Sequence, residues 1–233
     1  MQQTVPLTTF DIAALLFFIL LWAFYAAAVG GHVFSRPSLT VAMNKQRRQW
    51  IETMAKRELR MIDTSILSGL QTGTGFFAST SLFALGGCVA LIGQSQQVLA
   101  VLNDIPFIHQ PERGVFEIKT VGLSCLFAYS FFKFAWSYRL FNYCSILIGA
   151  VPPVADADLA PRAFNAAIER AARMNILAGK HFNAGLLGIF FSIGYLGWFI
   201  GPVIFASSSV LVVIVLLRRQ FFSKARQTVL SDH

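Results

Sequence analysis

Four long apolar runs, over residues 10–29, 66–93, 121–151 and 185–217, restrict this chain more than any other feature. A hydrocarbon core about 30 Å thick is crossed by about 20 apolar helical residues. Inside that core each backbone N–H and C=O must find its partner within the segment, so runs of this kind become helices. Composition agrees: 13% of the residues are charged and 55% are hydrophobic, whereas a soluble domain is about 25% charged. The expected fold class is an all-α integral membrane protein, a single helical bundle of four to five membrane segments.

The first run resembles a signal peptide ending at Ala26-Ala27-Ala28. No Lys or Arg precedes it, and it exceeds an ordinary signal core, so it is expected to be a retained span. The last run is too long for one crossing and short for two. Gly201-Pro202 at its middle is the punctuation of one helix ending and another beginning; one helix kinked at Pro202 is the alternative.

Charge placement chooses between them. Arg36, Lys45, Arg47, Arg48, Lys56, Arg57 and Arg60 follow the first run; over 94–117 Arg113 is the one Lys or Arg. Arg162, Arg170, Arg173 and Lys180 follow the third, and Arg218, Arg219, Lys224 and Arg226 close the chain. Basic connections stay cytoplasmic. The N-terminus is therefore expected outside and the tail inside, which requires a hairpin at Gly201-Pro202. The expected segments are about 10–29, 66–93, 120–148, 183–200 and 202–217, in a bacterial inner or plasma membrane. The net charge of +8 is thus assigned to orientation. No nucleic-acid partner is expected, because no aromatic-interleaved basic groove is present.

Two connections carry helical periodicity. Over 38–63, Trp50, Ile51, Met54, Met61 and Ile62 recur at helical spacing among basic residues. Such an amphipathic helix is expected to lie in the interface, basic face toward anionic headgroups; a protein partner is the alternative. Over 161–180, Ala163, Ala167, Ala171 and Met174 form a stripe, and this helix is expected to continue into the fourth segment.

Some residues within the runs invite a functional reading. Gly69-x-x-x-Gly73 and Gly75-x-x-x-Ser79 are spacings that let helix backbones approach closely, expected here as packing within the bundle, with a dimer interface as the alternative. Gly73-Thr74-Gly75 lacks the Gly-Lys-Ser/Thr of a phosphate loop. Lys133 and Arg139 interrupt an aromatic span, where a charge costs about 2.5–3.5 kcal/mol. Arg139 lies close enough to the inner boundary to snorkel. Lys133 is six residues deeper and its side chain leans away from that boundary. With Trp136, Asn142 and Tyr143, these two cations make a candidate intramembrane polar site. Tyr129, Ser130, Trp136 and Ser137 share the face of Lys133 and are its expected neighbours. Cys88, Cys125 and Cys144 have no metal or disulfide pattern. His32, His109, His181 and His233 are scattered, so no metal or cofactor is expected.

Three stretches, Arg47-Arg48-Gln49-Trp50-Ile51-Glu52-Thr53-Met54, Ile66 through Leu82 with its Ser68-Gly69-Leu70-Gln71-Thr72-Gly73-Thr74-Gly75 core, and Phe134-Ala135-Trp136-Ser137-Tyr138-Arg139-Leu140-Phe141-Asn142-Tyr143, together with Trp198-Phe199-Ile200-Gly201-Pro202, resemble the domain-of-unknown-function 599 family. The resemblance spans residues 29–221. It implies a multi-pass membrane protein of bacteria or plants and no reaction. Arg139, Asn142 and Tyr143 fall in the family-like stretch; Lys133 is not part of the pattern.

No Ser/His/Asp grouping, carboxylate pair or metal cluster can be assembled, so no enzyme is expected. The leading expectation is a non-catalytic scaffold, accessory or assembly component of a membrane complex, in contact with anionic lipid headgroups and open to homo-oligomerisation. The alternative is a small oligomeric channel or transporter for an anionic solute, with Lys133 and Arg139 in its path. A lipid-modifying intramembrane enzyme is the remaining reading.

Overall fold

The computed structural model describes residues 7–30, 36–103 and 112–231. Of the scattered histidines, His32, His109 and His233 fall outside these residues. The described residues form helices α1 (Thr9–Val29), α2 (Leu39–Ala55), α3 (Met61–Gly93), α4 (Ser95–Asn103), α5 (Arg113–Gly149), α6 (Pro161–Tyr195), α7 (Pro202–Phe221) and α8 (Lys224–Leu230). Among them α1, α3, α5, α7 (with α8) and α6 (extended to Phe199) are long and apolar enough to cross a membrane. The chain is an all-α multi-pass membrane protein.

Local chemistry sets the helix ends. Thr8 caps α1: its hydroxyl accepts from Asp11 N at 3.1 Å, and the Asp11 carboxylate accepts from Thr8 N at 3.2 Å. That reciprocal pair satisfies donors a helix start leaves orphaned. Ser38 caps α2 and also donates to Val29 O at 3.0 Å, tying the start of α2 to the end of α1. Arg60 reaches across to the end of α5 and donates to Ile148 O (3.2 Å), Val151 O (2.7 Å) and Pro152 O (2.9 Å). Those carbonyls lie at or just beyond the helix end, so one guanidinium serves as a C-terminal cap.

The core is built around α5, with α3 along one side and α6 along the other. Small residues allow the close α5–α6 approach: Gly185 lies against the Phe134 ring, and Ser137 Oγ donates to Ala178 O at 2.8 Å. Between α3 and α5, Phe77 stacks on Phe134 at 5.4 Å, and Gln71 donates to Asn142 Oδ1 at 2.8 Å and Ser145 Oγ at 3.0 Å. Helices α1 and α7 close over the far half of α6 through an aromatic cluster of Phe18, Phe191, Tyr195, Trp198 and Phe205.

The end of α6 tightens into a 3-10 turn, Leu196–Phe199; Gly201 is extended and Pro202 opens α7. Ser208 of α7 donates to Gly194 O at 2.6 Å, and Gly194 lies against the Ser209 backbone. Helix α7 thus folds back along α6, and Gly201-Pro202 is the turn of a hairpin.

Several sequence boundaries change. The amphipathic stretch 38–63 is two elements: α2 ends at Ala55, and Met61, Ile62 and Asp63 open α3. Its apolar residues Ile51, Met54 and Ala55 are fully buried in one cluster with Phe141, Cys144, Ala171 and Ala172. The expected face-down position in the headgroups is therefore replaced by a seat on α6, which supplies the apolar stripe that complements it. The third segment starts at Arg113, before the expected 120, and α6 joins the expected 161–180 helix to the fourth span. At 33–37 residues, α3, α5 and α6 reach about 50 Å at 1.5 Å per residue, so they overrun the hydrocarbon core. Of the cysteines, Cys88 and Cys144 are buried and Cys125 is exposed.

Candidate functional site

Of the anticipated intramembrane site, Trp136, Arg139 and Tyr143 come together, whereas Lys133 and Asn142 bond elsewhere. The Lys133 ammonium rests over the ring of Tyr129, one turn back on α5, with Nζ 5.3 Å from the centroid. That ring packs edge-on against Trp22 of α1 at 5.4 Å, so Lys133 is held by cation–π attraction and not by an ion pair. Arg139 lies on the open side of α5: its Nε donates to Tyr143 Oη at 2.6 Å, and its guanidinium approaches the Trp136 and Tyr143 rings at 6.0 and 5.5 Å. Asn142 faces α3, bonded to Gln71. Ser130 and Ser137, expected beside Lys133, are buried and bond backbone carbonyls of α5 and α6. The two cations rest on different rings, Lys133 on Tyr129 and Arg139 on Trp136 and Tyr143.

The small-residue motif also separates. A side chain built at Gly69 or Gly73 would meet no atom within 4 Å; at Gly75 it would touch Tyr138 at 3.7 Å. Leu67, Thr74, Ser81 and Cys88, at seven-residue spacing, form the buried face of α3. Gly69, Gly73 and Ser79 lie on the exposed side. The expected packing within the bundle therefore does not use Gly69 or Gly73, since α5 takes the opposite face.

A different polar centre lies at the other end of the bundle, beneath the hairpin. Asp11 of α1 and Lys119 of α5 are 6% and 7% exposed, and Nζ stands 3.5 Å from Oδ1. Lys119 also donates to Trp198 O at 2.8 Å, and Trp198 Nε1 donates to Asp11 Oδ1 at 2.6 Å. The other carboxylate oxygen accepts from Thr8 Oγ1 at 2.6 Å. Tyr195 Oη donates to Lys119 O at 3.0 Å. Three separate stretches of chain meet here, and the bonds to Asp11 and Lys119 Nζ are charge-assisted, the strong kind. The group borders a cleft of about 920 Å³ that also takes in Glu112, Gly201 and Pro202. The charged atoms of Asp11 and Lys119 already have partners, so the pair acts as a latch on the hairpin.

Sequence reasoning missed this pair because Asp11 lay at the edge of its run and Lys119 just before the next. The signal was present: the expected topology placed both at outer ends, hence at one level. A second missed centre sits at the basic end. There fully buried Asp63 accepts from Trp50 Nε1 at 2.8 Å and Arg57 Nη1 at 2.6 Å. Arg47 donates to buried Asn175 Oδ1 at 2.7 Å, and Arg48 pairs with Glu169. These bonds fasten α2 to α3 and α6. Among the described residues no group of His, Cys, Asp and Glu could hold a metal ion.

The family model for the protein of unknown function DUF599 matches residues 13–225. The chain belongs to the DUF599 family. That match covers the latch residues Lys119 and Trp198, the hairpin and all of α2, α3, α5 and α6; Asp11 lies just outside it. Searches of curated proteins and of solved structures gave no match for this DUF599 chain.

Proposed function

We propose that this DUF599 protein is a non-catalytic membrane component, a scaffold or accessory subunit that works by binding another membrane protein through α3. The observation that carries this reading is the open face of α3. Gly69, Gly73 and Gly87 fall on one helical stripe with Phe76 and Phe83, which are 66% and 80% exposed. Glycine costs a helix roughly 1 kcal/mol relative to alanine. Lipid tails offset none of that, whereas a second helix drawn into van der Waals contact does. The anion-transport alternative loses its motive, because Lys133 and Arg139 point to different neighbours and the Asp11–Lys119 pair is internally satisfied.

The test is purification in a mild detergent followed by mass spectrometry. The wild-type chain is expected to bring down one membrane complex in stoichiometric amount, and Gly73→Leu to lose it while eluting as a folded monomer. Recovery of both forms as free monomers overturns the reading.

The proposed orientation has the N-terminus outside and the C-terminus in the cytoplasm of a bacterial cell. It rests on the basic residues of α2, α8 and the first half of α6 gathering at one end. A reporter fused after residue 233 is expected to be active only in the cytoplasm. Activity on the opposite face overturns the orientation.

A further inference from the structure

At the basic end, the last turn of α1, the first turn of α2, the middle of α6 and the last turn of α7 enclose a cavity of about 620 Å³. We propose that it is a binding site for one anionic phospholipid with a hydroxylated headgroup, of the phosphatidylglycerol class.

The cavity has a polar and an apolar part. Lys180 and Arg219 line it together with Asn44 and Asn183, while Leu187 and Phe190 form apolar wall. Neither cation has an ion pair or hydrogen bond to any described residue, although other basic residues at this end, Arg47, Arg48, Arg57 and Arg60, are all engaged. No carboxylate lines the cavity. A phosphate therefore meets two unneutralised cations, and a zwitterionic headgroup finds no partner for its ammonium. The amides of Asn44 and Asn183 suit hydroxyl groups, as donors and acceptors. Basic pockets between membrane helices at the cytoplasmic boundary are favourable places for acidic headgroups.

The walls are pinned before any lipid arrives. Gln220 Oε1 accepts from Thr40 N at 3.1 Å and Thr40 Oγ1 at 3.2 Å, joining the end of α7 to the start of α2. Ser38 Oγ holds Val29 O, and Arg226 Nε donates to Pro37 O at 2.9 Å. Binding then orders little of the protein, which favours affinity. The position at the ends of α1 and α7 lets acyl chains leave along Leu187 and Phe190 into the bilayer.

The experiment is native mass spectrometry of detergent-purified protein exchanged with phosphatidylglycerol or phosphatidylcholine. Wild type is expected to retain one phosphatidylglycerol about thirtyfold more strongly than phosphatidylcholine, the factor two interfacial cations supply. The double variant Lys180→Met/Arg219→Met is expected to lose that preference, and Lys45→Met, on exposed α2 surface outside the cavity, to keep it. Leu187→Trp, which fills the apolar part without changing charge, is expected to expel the lipid. Equal retention of the two lipids by wild type overturns the proposal. So does an unchanged preference in the double variant, or full displacement of the lipid by millimolar inorganic phosphate, which marks a soluble-anion site. A failed complex pull-down leaves this measurement unaffected, so the two proposals fail separately.

Discussion

Asp11→Leu is expected to lower the unfolding free energy of the detergent-solubilised protein by about 3–5 kcal/mol, the range for breaking one side of a buried pair. Lys119 would keep its bond to Trp198 O but lose the charge that neutralises it. Trp198 Nε1 would lose its acceptor, and the α1 cap would lose its carboxylate. The diagnostic comparison is a double-mutant cycle. Lys119→Met in the Asp11→Leu background is expected to recover most of the loss, because an apolar pair of similar volume often matches a buried ion pair in stability. Additive losses in the double variant, measured by thermal or denaturant unfolding, would show that the two residues are not coupled.

The second large effect is expected from Gly185→Ala. The added carbon would stand 2.7 Å from Phe134 Cε1, and that ring is fully buried. Phe134 cannot retreat easily, since it stacks on Phe77 at 5.4 Å and abuts Phe182 at 5.5 Å. Overpacking of this kind costs about 1–3 kcal/mol and sometimes more. The same substitution at Gly73 meets nothing within 4 Å and is expected to stabilise the isolated chain by up to about 1 kcal/mol through helix propensity. Opposite signs at two glycines of one bundle separate a seam that is used from one that is open. Phe134→Leu is expected to rescue Gly185→Ala in part. A neutral Gly185→Ala, read by thermal unfolding in the same detergent, would mean that α5 and α6 are not in close contact there.

The parts of this fold legible in sequence were those governed by local rules. Apolar length located the helices long enough to cross a membrane. Gly201-Pro202 marked the hairpin because both residues restrict the backbone wherever they stand. Less legible were features that depend on which helix lies beside which. The apolar stripe of α2 looked lipid-directed because its partner stripe, with Ala167 and Ala171, lies more than a hundred residues later. Lys133 drew attention as a charge deep in its span, yet a ring one turn away holds it. Lys119 drew none, although it joins two other stretches of chain. Span-edge charges are ordinary one at a time, and only the shared level of Asp11 and Lys119 made them a pair.

The bond between Thr40 and Gln220 has a consequence in time. Its partners are 180 residues apart in the chain. At a synthesis rate of 5–20 residues per second, α2 leaves the ribosome about 10–35 s before the residue that pins its first turn exists. Throughout that interval the start of α2 must wait at the membrane surface without its final partner. The boundary layer of this bundle is the last part to be completed, and any factor that assists its biogenesis would meet α2 in that window.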